Sequence, residues 1–280
     1  MPWFKRFAVL LPALMSGTNA LAGEGYVIGF GGEADTSDSF SFSAVGDFGV
    51  TKKTWFSVTA AKSQAEGAVN QLDTLYGDMG LDHHFDPIGV RIGAAYWGDD
   101  ELLDSVDLRG SVYIRTKTLS LSTDYEKRNF DFIFNLAPLL ERRLVEFDAD
   151  GYGVNFRADV GGRVSFYMRG MNYVYSVNLS ALQNISDLNF LSASRLSLAN
   201  SLLDYRADAG LDFSFGLRTV SIESGRRQTA IDGGRVDSVS FGFLFPASDS
   251  SDIELRLGYD DSERFGGTTV FSFFWFFYGT

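Results

Sequence analysis

Hydrophobic and polar residues alternate along most of this chain, in blocks of about ten residues separated by stretches rich in Gly, Ser, Asn and Asp. The most regular block is 105–115. Its even positions carry Val, Leu, Gly, Val and Ile, whereas its odd positions carry Asp, Arg, Tyr and Ser. A period of two residues is typical of a β-strand with one apolar and one polar face. The pattern therefore predicts an all-β protein.

The same alternation recurs, with varying regularity, in further segments along the chain. These segments are 25–34, 39–48, 53–62, 73–83, 88–96, 128–136, 152–160, 164–173, 207–217, 236–246, 253–260 and 268–278. A shorter stretch at 117–124 is a candidate for one more strand. We therefore expect 12–14 strands.

The length and chemistry of these blocks favour a membrane barrel over a soluble sheet. A strand that spans the membrane needs about 9–11 residues, with apolar side chains towards lipid and polar side chains towards the lumen. Every backbone amide in lipid must be paired, so such a sheet has to close on itself. We predict a transmembrane antiparallel up-and-down β-barrel over residues 23–280. A soluble exported β-sandwich is the alternative.

The last predicted strand, 268–280, reads TTVFSFFWFFYGT and carries aromatic residues at alternating positions, among them Phe274, Phe276 and Tyr278. It resembles the final strand of bacterial outer-membrane barrels, although the chain continues to Thr280 where those strands usually end on Phe. The resemblance is to the superfamily, over residues 23–280, and indicates no specific family. It implies a Gram-negative outer-membrane location, contact with lipid and lipopolysaccharide, and insertion by the barrel assembly machinery.

Residues 1–22 have the features of a cleavable export signal. Lys5 and Arg6 precede an apolar run from Phe7 to Met15, and small residues at Ala20 and Ala22 predict cleavage after Ala22. The apolar run is too short to span about 30 Å as a helix. An N-terminal helix that anchors the protein or is buried is the alternative.

Composition excludes several classes of function. The chain has no Cys, which excludes disulfides, a Cys-linked lipid anchor and thiolate chemistry. A formal net charge of −12 argues against nucleic-acid binding, which requires a basic face. No cofactor or metal site is indicated, and the pattern does not define an oligomeric state. Aromatic residues make up 15% of the chain, which agrees with β-structure.

Two segments interrupt the strand pattern. Residues 137–146 predict a short helical or irregular connection. Residues 182–204 carry Leu188, Leu191, Leu198 and Leu202 at spacings of three, four and seven, which predicts one inserted amphipathic helix. Four predicted strands follow this helix, which places it on the periplasmic side, where connections are usually short.

The last strand is apolar on both faces, although a water-filled lumen should not be lined by aromatic residues. We therefore expect the 182–204 helix, or an inward loop, to pack against its inner face. A helix resting on the membrane interface is the alternative.

The polar faces of the predicted strands carry charged residues of both signs. The candidates for lining the lumen are Arg91, Asp107, Arg109, Arg115, Arg157, Asp159, Asp212 and Arg256. Facing rows of opposite charge order water in a pore and select small polar solutes. The same charges could instead pair across the lumen and close it.

Aromatic residues near strand ends are candidates for the girdles at the two membrane interfaces. They are Trp55, Trp97, Trp275, Tyr96 and Tyr259.

The distribution of histidine makes an enzyme the least favoured class. Enzymes among outer-membrane barrels need a catalytic His, and this chain has only the adjacent His83 and His84, which would point to opposite faces of a strand. Acidic clusters at 99–101 and 260–263 predict either solvated outer loops or divalent-cation bridges to lipopolysaccharide. We predict a porin-like diffusion channel for small polar solutes. A closed structural or adhesion barrel acting through its outer loops is the alternative.

Overall fold

The computed structural model describes residues 25–66, 71–99, 103–136, 141–179, 202–264 and 266–279, and these form a closed barrel of 14 antiparallel strands. Each strand pairs with its neighbours in chain order, and β1 pairs with β14 from Tyr26↔Gly279 to Asp35↔Val270. The strands are β1 (Tyr26–Asp35), β2 (Phe40–Thr51), β3 (Thr54–Glu66), β4 (Gln71–His84), β5 (Ile88–Asp99), β6 (Leu103–Arg115), β7 (Leu119–Leu136), β8 (Glu141–Val160), β9 (Val164–Tyr175), β10 (Leu203–Phe215), β11 (Arg218–Thr229), β12 (Arg235–Ser248), β13 (Ser251–Ser262) and β14 (Gly266–Gly279). Because the sheet closes, every strand has a neighbour on both sides over most of its length. At the loop end, some parts of strands, among them 133–136 of β7 and 141–147 of β8, lack a second neighbour among the described strands.

The connections alternate between two ends of the barrel. At one end, called the turn end here, the six connections have two or three residues, and the barrel's first and last strands begin and finish there. Gly161 and Gly216 have φ of 62° and 68° in two of these turns, a backbone region that favours glycine. The opposite loop end carries the longest connection, 176–202. In bacterial barrels the short turns face the periplasm.

The predicted strand number is confirmed, but two strands were assigned wrongly. The segments 117–124 and 128–136 belong to one 18-residue strand, β7, rather than to two. Strand β11 was missed, because its second half, SGRRQT, does not alternate. The merged pair removes one predicted strand and the missed strand adds one, so the total number of strands is unchanged.

Both predicted breaks in the pattern need correction. Residues 141–146, predicted as part of an irregular connection, form the start of β8. Residues 203 and 204 of the predicted helix begin β10, whereas 182–201 lie outside the described residues. Five strands follow this connection instead of four, so its two ends, at Tyr175 and Leu203, lie at the loop end and not at the end with the short turns, which corrects the predicted side. No helix in the described ranges has the length and hydropathy needed to cross a bilayer.

Large apolar side chains cover the outer face of the barrel. The exposed residues include Leu81, Ile92, Val106, Leu108, Val112, Ile114, Leu121, Val154, Met168, Phe241, Leu257 and Phe271. Soluble monomers rarely expose a continuous apolar patch of more than a few hundred Å². An apolar surface that runs around the whole barrel therefore fits lipid rather than water.

The hairpin of β7 and β8 extends beyond this apolar belt at the loop end. On its outer face Tyr125 packs against Tyr152, with ring centroids 5.6 Å apart, and beyond them the outward residues become charged. Lys127 forms ion pairs there with Asp148 and Asp150. The hydrogen bond from Lys127 lowers the pKa of the Asp148 carboxyl below its ordinary value. The two tyrosines therefore mark the edge of the belt on these strands.

Candidate functional site in the barrel interior

The alternate face of each strand lines an interior that carries many charges. Among the strand residues whose side chains the structure describes, and outside the irregular start of β10, sixteen inward carboxylates face nine inward arginines. The carboxylates are Glu33, Asp35, Asp47, Asp78, Asp82, Asp99, Asp107, Asp124, Glu126, Asp159, Asp208, Asp212, Glu223, Asp252, Glu254 and Asp260. The arginines are Arg91, Arg109, Arg115, Arg128, Arg157, Arg169, Arg206, Arg227 and Arg256.

The structure places all eight predicted lumen residues on this inner face. Arg91, Asp107, Arg109 and Arg115 line one cavity of about 860 Å³ inside the barrel. The remaining predicted residues lie inward on β8, β10 and β13. Of these, Arg157 contacts Asp159 at 3.4 Å and Asp212 at 3.1 Å. Arg256 contacts Glu254 on its own strand at 2.9 Å.

The ion pairs of the interior run along the wall and not across it. Arg91 on β5 contacts Asp82 on β4 at 2.8 Å, and Arg169 on β9 contacts Asp208 on β10 at 2.8 Å. Arg227 on β11 contacts Asp260 on β13 at 2.9 Å. No inward pair among the described residues joins strands more than two apart. The sequence left open whether the inward charges line a pore or pair across the lumen and close it. In the described wall they pair along the wall and leave a cavity.

Tyrosine hydroxyls fix several of these carboxylates in place. Tyr113 donates a hydrogen bond to Asp82, and Tyr76 donates one to Asp78, at 2.5 and 2.8 Å. Asp78 also holds Arg109. On the other side of the barrel Tyr167 donates to Glu223 at 2.7 Å. Each tyrosine donates one hydrogen bond to its carboxylate and so restricts the orientation of that carboxylate. The position of the arginine that pairs with the carboxylate is restricted as a result.

The most buried of these networks is centred on Arg128. The Arg128 Nε lies 3.3 Å from Asp107 Oδ1 and 3.9 Å from Glu126 Oε1, and the three side chains are 3%, 4% and 9% exposed. The guanidinium carbon lies 4.8 Å from the ring centroid of Phe130 and 5.6 Å from that of Tyr173. Tyr173 also donates a hydrogen bond to Glu126. This network lies between the polar cavity and the apolar residues nearer the loop end.

An apolar cluster fills part of the interior at the loop end. It contains Trp97, Leu103, Phe130, Phe132, Phe147, Ala149, Leu179, Leu202 and Ile231, all buried. Trp97 is only 1% exposed, so its predicted place in an outer aromatic girdle was wrong. It shares the inward face of β5 with Arg91 and Ala95. The polar interior therefore narrows towards the loop end.

The other predicted girdle residues are divided between the two faces. Trp55 also proves to be inward, because it pairs with Asp82 in register and lines the cavity. Trp275, Tyr96 and Tyr259 lie on the outer face, and Tyr96 donates a hydrogen bond to the outward Asp104 at 2.6 Å. The outer positions of these three fit an interfacial role, which stays a prediction.

The inward aromatic residues of β14 pack on glycines of β1. A Cβ atom added to Gly29 would lie 2.6 Å from the Phe276 ring, and one added to Gly31 would lie 2.4 Å from the Phe274 ring. The two rings therefore occupy space that side chains on β1 would otherwise fill. This packing covers part of the inward aromatic surface of β14. That is the surface against which the sequence predicted that the 182–204 helix, or an inward loop, would pack.

The two histidines lie on opposite faces at the end of β4. The Nδ1 atom of His83 lies 2.8 Å from Thr54 Oγ1. His84 faces inward and stacks on Tyr113, with ring centroids 5.9 Å apart.

Both acidic clusters, 99–101 and 260–263, prove to be partly strand, since Asp99 ends β5 and Asp260 is buried on the inner face of β13, not solvated in a loop. Residues 100 and 101 lie outside the described residues.

No protein-family model matches this chain, and no curated protein matches it either. Solved structures do match it. The CymD monoaromatic hydrocarbon channel aligns with a TM-score of 0.57 at 9% identity, over 93% of this chain and 89% of that chain. OmpTdeltaL8, a loop deletion mutant of an outer membrane protein of Vibrio cholerae, aligns with a TM-score of 0.50 at 8% identity, over 91% and 99%. The chain therefore has the fold of outer-membrane β-barrels.

Proposed function

We propose that this protein is a porin-like channel of the outer membrane, through which small polar solutes diffuse. The observation that carries this proposal is the arrangement of the inner ion pairs. They join strands no more than two apart among the described residues and border a cavity of about 860 Å³. Charges that paired across the lumen would instead have filled it.

The lining of the cavity suits small hydrophilic solutes. Arginines and carboxylates alternate around it with Ser57, Ser111 and Asn155, so a polar solute can exchange water for hydrogen bonds at many positions. The matched CymD structure is named as a channel, which agrees with the proposal. The apolar cluster narrows the interior at the loop end, so we expect a small conductance and a low size limit.

The proposal is tested by reconstitution of the purified protein in planar bilayers and in liposomes. We expect stepwise currents in KCl, together with liposome swelling that falls steeply as the uncharged test solute becomes larger. A control preparation, unfolded by heating and identified by its changed gel migration, should give neither. Folded protein that gives no current and no swelling would refute the channel and support the closed structural barrel.

A further inference from the structure

We infer that the lumen prefers cations over anions, and that Asp47 on β2 sets much of this preference. The inference rests on the proposed channel and names its class of solute, which is small cations including organic ammonium ions. Its starting point is the excess of inward carboxylates over inward arginines described above.

The inner wall divides into two arcs of different charge. On the described parts of β14 and β1 to β4, the inward charged groups are carboxylates, and the inward face has no Lys or Arg. The lysine of this arc that lies within a strand, Lys62, faces outward and pairs with Asp73. The inward arginines all lie on β5 to β13. A cation following the first arc therefore meets no like charge on that wall.

Six carboxylates line the cavity, and four of them form ion pairs with arginines. These four are Asp78, Asp82, Asp107 and Glu126. Asp124 accepts a hydrogen bond from Asn155 instead. Arg115 and Arg206 also line the cavity without an ion pair among the described residues, but both belong to the second arc.

The Asp47 side chain lines the same cavity, yet it has neither an ion pair nor a hydrogen bond with any described residue. Arg91 acts on Asp47 electrostatically, but it lies beyond ion-pair distance and is itself held by Asp82 at 2.8 Å. The Asp47 carboxylate is therefore only partly compensated and can still attract a mobile cation.

The register brings Asp47 into the same region of the wall as Asp78 and Asp82. Asp47 pairs with Ser57 on β3, and Ser57 pairs with Gly80 on β4. Strands lie about 4.8 Å apart, so Asp47 is about 10 Å from Gly80 across the sheet. Asp78 and Asp82 each lie two residues from Gly80, or about 7 Å along the strand. Asp47 is therefore about 12 Å from Asp78 and from Asp82, which is more than the Debye length of about 8 Å at physiological ionic strength. Since each of those two carboxylates is paired with an arginine, Asp47 is the one of the three that acts on a passing ion without a paired arginine.

The size of the effect follows from Coulomb's law. One unit charge about 7 Å from an ion in water changes the ion's energy by roughly RT, which corresponds to about a threefold change in local concentration. Low-dielectric walls raise this value, and salt lowers it. Rings of Asp and Glu make other channels cation-selective by the same physics.

The test measures reversal potentials in planar bilayers under a KCl gradient. We expect the wild-type channel to favour K⁺ over Cl⁻. Asp47→Asn should lower the permeability ratio by roughly three- to ninefold, because one charge raises the local concentration of the cation about threefold and lowers that of the anion by the same factor, and salt reduces both effects. Ser57→Lys adds a cation to the same row and should lower the ratio without removing Asp47, while Ser57→Asp should raise it. The control is Asp73→Asn, which removes an outward carboxylate with 51% side-chain exposure and should leave the ratio unchanged.

The possible failures can be told apart. If wild-type protein gives no current, the proposed channel fails. If current flows but Cl⁻ is preferred, the channel stands and the inference about cations is wrong. If K⁺ is preferred but Asp47→Asn leaves the ratio unchanged, Asp47 does not set the preference. If Asp47→Asn does not fold, the wild-type ratio still decides whether the lumen prefers cations, and the two Ser57 variants decide whether charge in this row of the wall controls the ratio.

Discussion

Replacing Arg128 with Met should be among the most damaging single changes inside the barrel. The guanidinium compensates two carboxylates, Asp107 and Glu126, and all three side chains are almost fully buried. Removing one partner of a buried ion pair costs about 3–5 kcal/mol, because the remaining charge is left without compensation. Loss of the cation–π contacts with Phe130 and Tyr173 overlaps with this cost and does not simply add to it. We therefore expect a loss of about 4 kcal/mol in the free energy of unfolding.

The assay is guanidinium-induced unfolding in detergent micelles, followed by tryptophan fluorescence. Arg157→Met is the matched control, since Arg157 is 47% exposed and its two ion pairs should be worth less than about 1 kcal/mol. A triple variant, Arg128→Met with Asp107→Asn and Glu126→Gln, removes every charge of the network and should recover much of the loss. The reasoning is wrong if Arg128→Met costs less than about 1 kcal/mol, or if the triple variant is less stable than the single one.

Two further substitutions test the assignment of the faces and the junction between the first and last strands. Leu108→Arg puts a charge on the outward belt and should cost about 2–4 kcal/mol in lipid, whereas Ser111→Arg faces the cavity and should cost much less; unfolding in vesicles compares the two. Gly31→Ala puts a Cβ atom 2.4 Å from the Phe273 carbonyl oxygen and should cost about 1–3 kcal/mol, while Gly110→Ala meets nothing within 4 Å. The two glycine variants are compared by the temperature at which gel migration changes. Equal losses of stability in the first pair would contradict the assignment of the two faces, and equal losses in the second pair would contradict the packing between β1 and β14.

The barrel itself could be predicted because lipid and lumen impose a period of two residues on each spanning strand. The pattern failed where a strand leaves the membrane. Around Tyr125 and Lys127 the outward face of β7 changes from apolar to charged, so one strand was interpreted as two. Strand β11 was missed for a similar reason, since Arg226 lies on its outer face near the loop end and breaks the apolar alternation.

The candidate site could be predicted in composition but not in geometry. Alternation alone places the eight predicted charges inward, and the same parity puts Trp97 on the polar face of the block around 88–96, which contradicts its predicted place in an outer girdle. Which arginine meets which carboxylate depends on the register between strands, and a single sequence does not contain it. For the same reason, the sequence does not show that Asp47 lacks an ion pair, because this depends on which residues lie next to it in the structure.

The pairing of β1 with β14 also constrains the order of folding. Tyr26 meets Gly279, so the contacts that complete the cylinder join residues about 250 positions apart and cannot form until nearly all of the chain has been synthesised. Such distant contacts are slow to form, because the entropy of ordering the intervening chain must be lost first. Until then both terminal strands keep a free row of amides, which makes the unfinished sheet prone to aggregation. Protection of these two edges is therefore the main requirement during biogenesis.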